Sequence, residues 1–231
     1  MKQKIVVLTG AGMSADSGLK TFRDANGLWE GHDVMKVASP QGFSANPELV
    51  LDFYNQRRRQ LLIAKPNKGH TALVQLEELY DVTIITQNVD DLHERAGSKN
   101  VLHLHGELLK VRSTVHPNDI YIWKEDLIIG DCCPKGHQLR PHIVWFGEEV
   151  PLLQEAAALT SMADILVIIG TSLQVYPAAG LMYYAPENTP IYFIDPKPNI
   201  SATAEWDLHI IAQSAAQGVP ALVKDLLGRV P

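Results

Sequence analysis

Two histidines lie two residues apart in the segment LHLHGEL, which runs from Leu102 to Leu108. The pKa of an imidazole is near neutral, so His103 or His105 could take a proton from a substrate hydroxyl at physiological pH. If the segment is a strand, the two side chains point to opposite faces, and only one of them can serve a given site. The segment alone does not separate this catalytic role from that of a hydrogen-bonded structural histidine.

A glycine-rich turn, GAGMSADSGLKTFRD, follows directly after the apolar run Ile5 to Leu8. Gly10, Gly12 and Ala15 match a variant of the G-x-G-x-x-A fingerprint, and with Ser14 they form a turn whose backbone N–H groups could hold a pyrophosphate. A tight strand-to-helix turn would have the same composition. A dehydrogenase would also carry an acidic residue after a second strand, about 20 residues on. The segment GLWEGHDVMK has no such strand, which disfavours an oxidoreductase.

Polar side chains also follow a second apolar run, Val82 to Ile85. Gln87, Asn88 and Asp90 come just after it, at the end of a strand where open α/β sheets bind ligands. A capping turn before a helix that starts near Asp91 is the structural alternative.

Tyr54 and Arg57 lie three residues apart in the segment FYNQRRRQ. On a helix they share a face, so a phenol and a guanidinium could together bind a carboxylate. Without other information, the run Arg57 to Arg59 would be interpreted as a solvated helix face.

Alternating strands and helices must position these residues. Short, nearly continuous apolar runs predict strands buried on both faces of a parallel sheet, at Ile5 to Leu8, Val82 to Ile85, Ile165 to Ile169 and Ile191 to Ile194. Apolar residues at three- and four-residue spacing predict helices at Pro47 to Ile63, Gly69 to Leu79, Pro151 to Met162 and Pro220 to Leu227. The predicted class is α/β, a Rossmann-like parallel sheet with helices on both faces.

Two stretches interrupt this alternation and predict a smaller module beside the sheet. Residues 26–68 have helical patterns and no strand, and residues 107–142 are rich in His, Pro, Asp and Gly. We therefore expect one catalytic domain, with a Rossmann core of residues 1–25, 69–106 and 143–231 and a module formed by these two insertions.

Composition excludes several classes of protein. The chain has 231 residues, of which 46% are hydrophobic and 20% charged, which is typical of one globular domain and argues against disorder or a coiled coil. A net charge of −6 gives no general attraction to nucleic acid or to anionic lipid. The first apolar run is too short for a signal peptide, and no run approaches a membrane span. We expect a cytoplasmic monomer.

Several motifs together resemble those of the sirtuins, the NAD-dependent protein lysine deacylases. The resemblance rests on five segments in order along nearly the whole chain, GAGMSADSGLKTFR, TQNVDDLHERAG, LHLHGEL, LRPHIVWFGE and GTSLQVYPAAGL. It implies a reaction in which the acyl oxygen of a modified lysine attacks the ribose of NAD. Nicotinamide leaves, and the acyl group ends on ADP-ribose.

The resemblance also implies roles for individual residues. His105, in the HG pair, would be the base that activates a ribose hydroxyl, and Asn88 would be the second catalytic residue. The implied contacts to NAD are Gly10, Ala11, Gly12, Ser14, Ala15, Phe22, Arg23, Trp29, Gln87, Asn88, Val89, Asp90, Gly170, Thr171, Ser172, Asp195 and Ala215. Asp195 stands where the family often has Asn.

The same resemblance implies an acyl-lysine site. Val144, Trp145 and Phe146 match the stretch that lies along the substrate peptide and forms the walls of an acyl-lysine tunnel. Tyr54 and Arg57, with the small Ala38, resemble the sirtuins that act on succinyl- and malonyl-lysine. We therefore expect an acidic acyl group to be preferred over acetyl.

Sirtuins usually hold a structural zinc with two pairs of cysteines, and this chain has only the adjacent Cys132 and Cys133. A site rebuilt from these with His116 and His137 has no usual zinc spacing. We expect no structural zinc and an insertion held by the apolar residues Ile120, Tyr121, Ile122, Trp123, Leu127 and Ile128.

Two other functions remain open at this stage. An NAD-dependent ADP-ribosyltransferase would cleave the same cofactor but use another acceptor, and Tyr54 with Arg57 favours the deacylase. A non-catalytic nucleotide- or peptide-binding module would leave His105, Asn88 and Asp90 without a role.

Overall fold

The computed structural model describes residues 2–20, 28–29, 31–200 and 206–229. Its strands are β1 (Lys4–Thr9), β2 (Leu28–Trp29), β3 (His32–Asp33), β4 (Asp81–Thr86), β5 (Val101–His103), β6 (Gly106–Ser113), β7 (Ile120–Ile122), β8 (Leu139–Ile143), β9 (Ile165–Ile169), β10 (Ile191–Ile194) and β11 (Leu208–Ile211). Its helices are α1 (Gly12–Ala15), α2 (Val34–Val37), α3 (Pro40–Ala45), α4 (Pro47–Ile63), α5 (Lys68–Leu76), α6 (Leu92–Ala96), α7 (Leu153–Thr160) and α8 (Ala215–Gly228), and a 3₁₀ helix covers Ala178–Tyr184.

A six-stranded parallel sheet forms the larger part of the fold, in the order β11-β10-β9-β1-β4-β5. Helices α5 and α8 pack on one face, and α7 and the 3₁₀ helix pack on the other. Every residue of β9 and β10 is buried, as continuous apolar runs predict for central parallel strands. The predicted fold class is therefore confirmed.

The smaller elements lie mainly in the two stretches that interrupt the alternation. Strands β7, β6 and β8 form a three-stranded antiparallel sheet, and α2, α3 and α4 precede α5. The expectation that residues 26–68 hold no strand is wrong in detail, because β2 and β3 form a two-residue hairpin pairing. The division into a core and a module stays a prediction.

Sequence patterns located the long elements well and the short ones poorly. The predicted bounds of α4, β9 and β10 agree with the structure, whereas α8 begins at Ala215, before the Pro220 that was taken as its start. The short edge strands β5 and β11 were not predicted at all.

The insertion that ends in β8 is held by fewer of its apolar residues than expected. Leu127 is fully buried, and Tyr121 and Trp123 pack against the same cluster. Ile122, however, is 75% exposed and Ile128 is 60% exposed, and Ile120 is also exposed, so these three contribute little to that core. Leu51 on α4 and Leu139 on β8 complete the cluster instead.

The helices in the described ranges are all too short or too polar to cross a membrane.

Candidate active site

A cavity of about 280 Å³ opens where the carboxyl ends of β1, β4 and β9 face helix α4 and strand β8. Residues from the turns after those three strands form one side, as expected for a ligand site in an open α/β sheet. Tyr54 and Arg57 on α4, with Trp145 after β8, line the other side. The cavity therefore brings together the nucleotide-type motifs and the two residues suited to a carboxylate.

Two glycine turns meet at the floor of this cavity. The Gly12 N–H donates to the Gly170 carbonyl at 2.8 Å, and the Gly10 N–H donates to Ile169 at 3.0 Å. Gly170 has a φ of +60°, and a Cβ placed there would lie 2.4 Å from the carbonyl carbon of Gly12. These glycines are required because two backbones touch, and the Gly12 N–H is already used within the protein.

Asn88 is fixed by a buried hydrogen-bond chain. Its Nδ2 donates to Ser14 Oγ at 3.1 Å, and that hydroxyl donates to Asp90 Oδ2 at 2.9 Å. The other oxygen of Asp90 accepts the Leu92 N–H at 3.2 Å, so Asp90 also serves the start of α6. Burial raises the pKa of Asp90, and the hydrogen bonds from Ser14 and Leu92 offset part of that shift. The chain locks the Asn88 side chain in one orientation at the cavity wall.

His105 lines the cavity directly after β5. Its Nδ1 lies 3.0 Å from the Gln87 carbonyl oxygen, which can only accept, so Nδ1 carries the proton. Nε2 is then the unprotonated nitrogen and a base. Burial lowers the pKa of His105, and the hydrogen bond to Gln87 opposes part of that shift. Because the net shift is downward, the ring is neutral near pH 7.

His103 has a different environment from His105, but strand alternation is not the reason, because β5 ends at His103 and His105 lies in the turn before β6. Its Nε2 lies 2.6 Å from Glu94 Oε1 and its Nδ1 lies 3.3 Å from the Asn88 carbonyl oxygen. Burial lowers the pKa of His103, but the hydrogen bond and charge of Glu94 outweigh it, and the net shift is upward. His103 therefore supports the backbone at Asn88, and His105 alone of this pair lines the cavity.

The acyl-lysine side of the cavity contains a buried phenol. Trp145 Nε1 donates to the Tyr54 hydroxyl oxygen at 2.9 Å, and both side chains are at most 2% exposed. Arg57, one helical turn from Tyr54, stacks its guanidinium 3.6 Å from the centroid of the Phe53 ring and donates to the Phe53 carbonyl. Burial raises the pKa of Tyr54, so the phenol keeps its proton.

Ion pairs and a hydrogen bond to Glu148 hold the loop after β8 in position. Arg140 donates to Glu148 Oε1 at 2.6 Å and Arg112 donates to Glu148 Oε2 at 3.1 Å, and that oxygen also accepts the Trp145 N–H. Burial raises the pKa of Glu148, but the hydrogen bonds of Arg140 and Trp145 and the two arginine charges lower it overall. Glu148 therefore remains charged and fixes the position of the Trp145 backbone.

The backbone N–H groups of this loop are already used. Val144 donates to the His105 carbonyl at 2.9 Å and Phe146 donates to the Ala38 carbonyl at 2.9 Å. With the Trp145 N–H on Glu148, the three amides cannot also pair with a peptide while these bonds persist. Pairing of a substrate peptide with this stretch stays a prediction.

Most residues that the sequence pointed to line the cavity. They are Gly10, Ala11, Ser14, Trp29, Ala38, Tyr54, Arg57, Gln87, Asn88, Val89, Asp90, His105, Val144, Trp145, Phe146, Gly170, Thr171 and Ser172. Among the described residues, Gly12, Ala15, Asp195 and Ala215 are not part of the lining. Phe22 and Arg23 lie outside the described residues.

Asp195 and Ala215 have other surroundings. Asp195 is buried and its Oδ1 accepts the Lys197 N–H at 2.8 Å, and the carbonyl of Ala215 lies against Gly69. Their assignment to NAD stays a prediction that the cavity lining does not support.

Several lining residues were not predicted. They are Leu19, Lys20, Gln60, Leu61, Leu108, Ile143, Glu148, Val150, Val175, Tyr176 and Pro177. Spacing could have suggested Leu61, four residues after Arg57 on the same helix, because residues four apart share a face. Val175 and Pro177 lie in the segment GTSLQVYPAAGL that carries the resemblance, but no spacing within that segment singles them out.

Comparison with known proteins agrees with this geometry. Residues 10–177 match the Sir2 family. The chain belongs to the Sir2 family. An NAD-dependent protein deacylase of Helicobacter pylori (strain ATCC 700392 / 26695) is 58% identical to this Sir2 chain over 225 residues, covering 97% of this chain and 98% of that protein.

Solved structures of Sir2 homologues share the fold. A mutant of one homologue in complex with ADP-ribose has a TM-score of 0.87 at 38% identity, covering 100% of this chain and 95% of its own. A homologue in complex with NAD has a TM-score of 0.86 at 37% identity, covering 100% of this chain and 91% of its own.

The residues of this Sir2 chain fit NAD. The closely packed glycine turns bring two stretches of backbone together at the cavity floor between β1 and β9, where backbone must approach a ligand. Gln87 and Asn88 supply amide groups, and the buried Asp90 supplies an acceptor next to them. Amides and carboxylates of this kind suit the carboxamide and the ribose hydroxyls of a nicotinamide nucleotide.

The donor set for a Sir2-type zinc does not fit. Cys132 is exposed, whereas Cys133 is buried with its thiol 3.7 Å from Ser113 Oγ, so the adjacent thiols face apart. The His116 and His137 rings meet edge to face, with their centroids 5.3 Å apart and their planes 63° apart. No group of three or more His, Cys, Asp or Glu side chains within the described ranges could hold a metal ion. The absence of zinc stays a prediction.

Proposed function

We propose that this chain is an NAD-dependent protein lysine deacylase that prefers succinyl- and malonyl-lysine over acetyl-lysine. The observation that carries the proposal is that Tyr54 and Arg57 line the same cavity as His105 and Asn88. A phenol and a guanidinium suited to a carboxylate therefore lie in reach of the groups that handle the cofactor. Membership of the Sir2 family, and the deacylase name of the Helicobacter pylori relative, support the deacylation itself.

The chain's own residues provide proton transfer and positioning. When bound, NAD supplies the ribose carbon from which nicotinamide leaves and the ADP-ribose that accepts the acyl group. His105 accepts a proton from a ribose hydroxyl at Nε2, because its Nδ1 proton is held by the Gln87 carbonyl. Asn88 is oriented by Ser14, and a residue fixed before the ligand arrives loses no freedom when the ligand binds.

Acidic acyl groups suit the electrostatics of the far wall. Arg57 and Arg140 are cations close enough to act on Tyr54, and the negative Glu148 is neutralised by Arg140 and Arg112. A carboxylate in this part of the cavity would meet a net positive field and a phenolic donor. Ala38 is small and lines the same space, which leaves room for the longer acyl chain.

One peptide that carries acetyl-, succinyl- or malonyl-lysine tests the acyl preference. We expect the wild type to remove the acidic groups faster, and Arg57→Met to lose about 10- to 100-fold in kcat/KM for succinyl, the effect of one charge-assisted contact. Acetyl removal should change little, because the acetyl group has no carboxylate.

Arg59→Met is the matched control. Arg59 lies on the same helix, pairs with the exposed Asp126 at 2.5 Å and is not part of the cavity lining. It should leave both rates unchanged. Equal succinyl rates in the wild type and in Arg57→Met would refute the role of Arg57.

The reaction products separate deacylation from ADP-ribosyl transfer. A deacylase releases nicotinamide only with acylated peptide and yields acyl-ADP-ribose, whereas a transferase adds the mass of ADP-ribose to a protein.

Cytoplasmic location and a monomeric state stay predictions.

A further inference from the structure

The hydrogen bond between Trp145 and Tyr54 has a defined direction. An indole N–H can only donate, so the Tyr54 oxygen accepts at 2.9 Å. Two hydrogen atoms cannot share the line between the nitrogen and the oxygen. The phenolic proton must therefore point away from Trp145, and Tyr54 is available as a donor in another direction.

Tyr54 is held to this arrangement by its surroundings. It is 1% exposed and burial raises its pKa, so neither solvent nor ionisation removes the proton. Its hydroxyl belongs to a side chain that lines the cavity on the same helical face as Arg57. Because Tyr54 lines the cavity, the acceptor that we infer for this proton is a ligand bound there.

Charged side chains also hold the Trp145 indole in place. The Arg140 guanidinium carbon lies 3.3 Å from the centroid of the Trp145 ring, and Glu148 holds both Arg140 and the Trp145 backbone N–H. A cation over the face of an indole polarises the ring, which strengthens its N–H as a donor. The indole cannot swing away from Tyr54 without disturbing an ion pair that is mostly buried.

We propose that Trp145 is a positioning residue for acyl specificity, whose indole N–H directs the Tyr54 hydroxyl to donate to the carboxylate of a succinyl or malonyl group. This inference rests on the proposed function. It assigns to Trp145 a role beyond that of an apolar wall, because any aromatic ring could supply a wall. An indole supplies both the wall and an N–H that can only donate, which phenylalanine and tyrosine rings lack.

Trp145→Phe tests the inference, because it keeps a ring over Arg140 and removes the N–H. We expect kcat/KM for the succinyl peptide to fall about tenfold, mainly through a higher KM, since a binding contact is weakened before the chemical step. The ratio of the succinyl to the acetyl kcat/KM should fall, because the acetyl group makes no hydrogen bond to Tyr54 and loses only the contact with the wall. A role in folding alone would lower both rates together.

A double-mutant cycle makes the test independent of packing. If Trp145 acts through the phenol, adding Trp145→Phe to Tyr54→Phe should cost nothing further for succinyl removal. Phe43→Leu is the matched control, since the Phe43 ring packs 5.3 Å from the Trp145 ring without a hydrogen bond and is not part of the cavity lining. It should leave the ratio of succinyl to acetyl rates unchanged.

The outcomes separate this inference from the proposed function. If the wild type prefers succinyl but Trp145→Phe lowers kcat/KM equally for both acyl peptides, the role of Trp145 alone is overturned. Additive losses in the double variant would overturn that role in the same way. A wild type that removes succinyl no faster than acetyl would overturn the acyl preference, and the inference with it.

Discussion

His105 and Asn88 are each held through a contact that leaves a functional group facing the cavity. His105 is fixed at Nδ1 by the Gln87 carbonyl, and Asn88 is fixed at Nδ2 by Ser14. The Gln87 carbonyl follows β4, and Ser14 lies on α1, directly after the turn that follows β1. The orientation of the reactive atoms therefore depends on the segments that follow two neighbouring strands of the sheet, through a backbone carbonyl in one case and a buried side-chain hydroxyl in the other.

Replacing His105 with alanine should abolish turnover while the fold remains intact. The imidazole is the base of the proposed reaction, and its hydrogen bond to Gln87 contributes only about 1 kcal/mol to stability. Steady-state assays with NAD and an acylated peptide check the rate, and a thermal melt checks the fold. A purified variant that kept most of its deacylase rate would refute the assignment.

The acid limb of the pH profile should lie below pH 6.5, the usual pKa of histidine. Burial lowers the pKa of His105, so the neutral base persists to a lower pH than that of an exposed imidazole. The limb should be measured as kcat/KM with an acetyl peptide, because the carboxylate of a succinyl group titrates in the same range.

His103→Gln provides the control for that profile. The pKa of His103 is shifted upward, since Glu94 outweighs the burial that opposes its charge. A wild-type limb above pH 6.5 that disappears in His103→Gln would show that His103, and not His105, controls the rate.

At the scale of single elements, helix α4 connects the site to the small sheet. One face of the helix presents Tyr54 and Arg57 to the cavity. Asn55 and Arg58, which follow Tyr54 and Arg57 in the sequence, contact the insertion instead. Asn55 makes paired hydrogen bonds with the Leu127 backbone, and Arg58 donates to the Leu108 carbonyl. The position of the acyl-binding residues is therefore coupled to the packing of the insertion.

The junction of the two glycine turns is the element most sensitive to a single methyl group. Gly170→Ala should lower the free energy of unfolding by more than about 3 kcal/mol and weaken NAD binding, because the added Cβ meets the Gly12 backbone at a positive φ. Urea unfolding and calorimetric titration with NAD measure the two effects.

Gly180→Ala is its matched control. The nearest atom to a Cβ there is in the Tyr176 ring, at 3.9 Å, so the change should be close to neutral. If Gly170→Ala unfolded at the same urea concentration as Gly180→Ala, the turns would not be packed as described.

At the scale of the whole molecule, the site is assembled from segments that are distant in sequence. Tyr54 and Trp145 are 91 positions apart, yet they share a hydrogen bond. The insertion that precedes Trp145 is held by an apolar cluster around Leu51, Val111 and Leu127 and by the Asn55 contacts. These contacts give the insertion a core of its own, which is the basis for the prediction that it needs no zinc ion.

Removing metal should therefore leave the protein folded and active. After dialysis against a chelator, the melting temperature and the deacylase rate should be unchanged, because the insertion has its own core. Elemental analysis of the purified protein should find much less than one zinc per chain. A stoichiometric zinc whose removal melts the fold would overturn this prediction.

The sequence by itself determined the elements and many of the chemical groups. The bounds of α4, β9 and β10 follow from hydrophobic periodicity, since period and face are local properties that neighbouring residues encode. The shared face of Tyr54 and Arg57 follows from the same spacing, and the motif resemblance pointed to most of the cavity lining.

The tertiary structure decided which groups meet. Periodicity does not specify sheet order, so the contact of Gly10 and Gly12 with the β9 turn, and the burial of Asp195 away from the cavity lining, were not readable from spacing. The short strands β5 and β11 form because the neighbouring strands supply their hydrogen bonds. The hydrogen bond from Trp145 to Tyr54 is likewise a property of the folded chain. Its direction sets the orientation of the Tyr54 hydroxyl, and it depends on long-range packing that no local pattern contains.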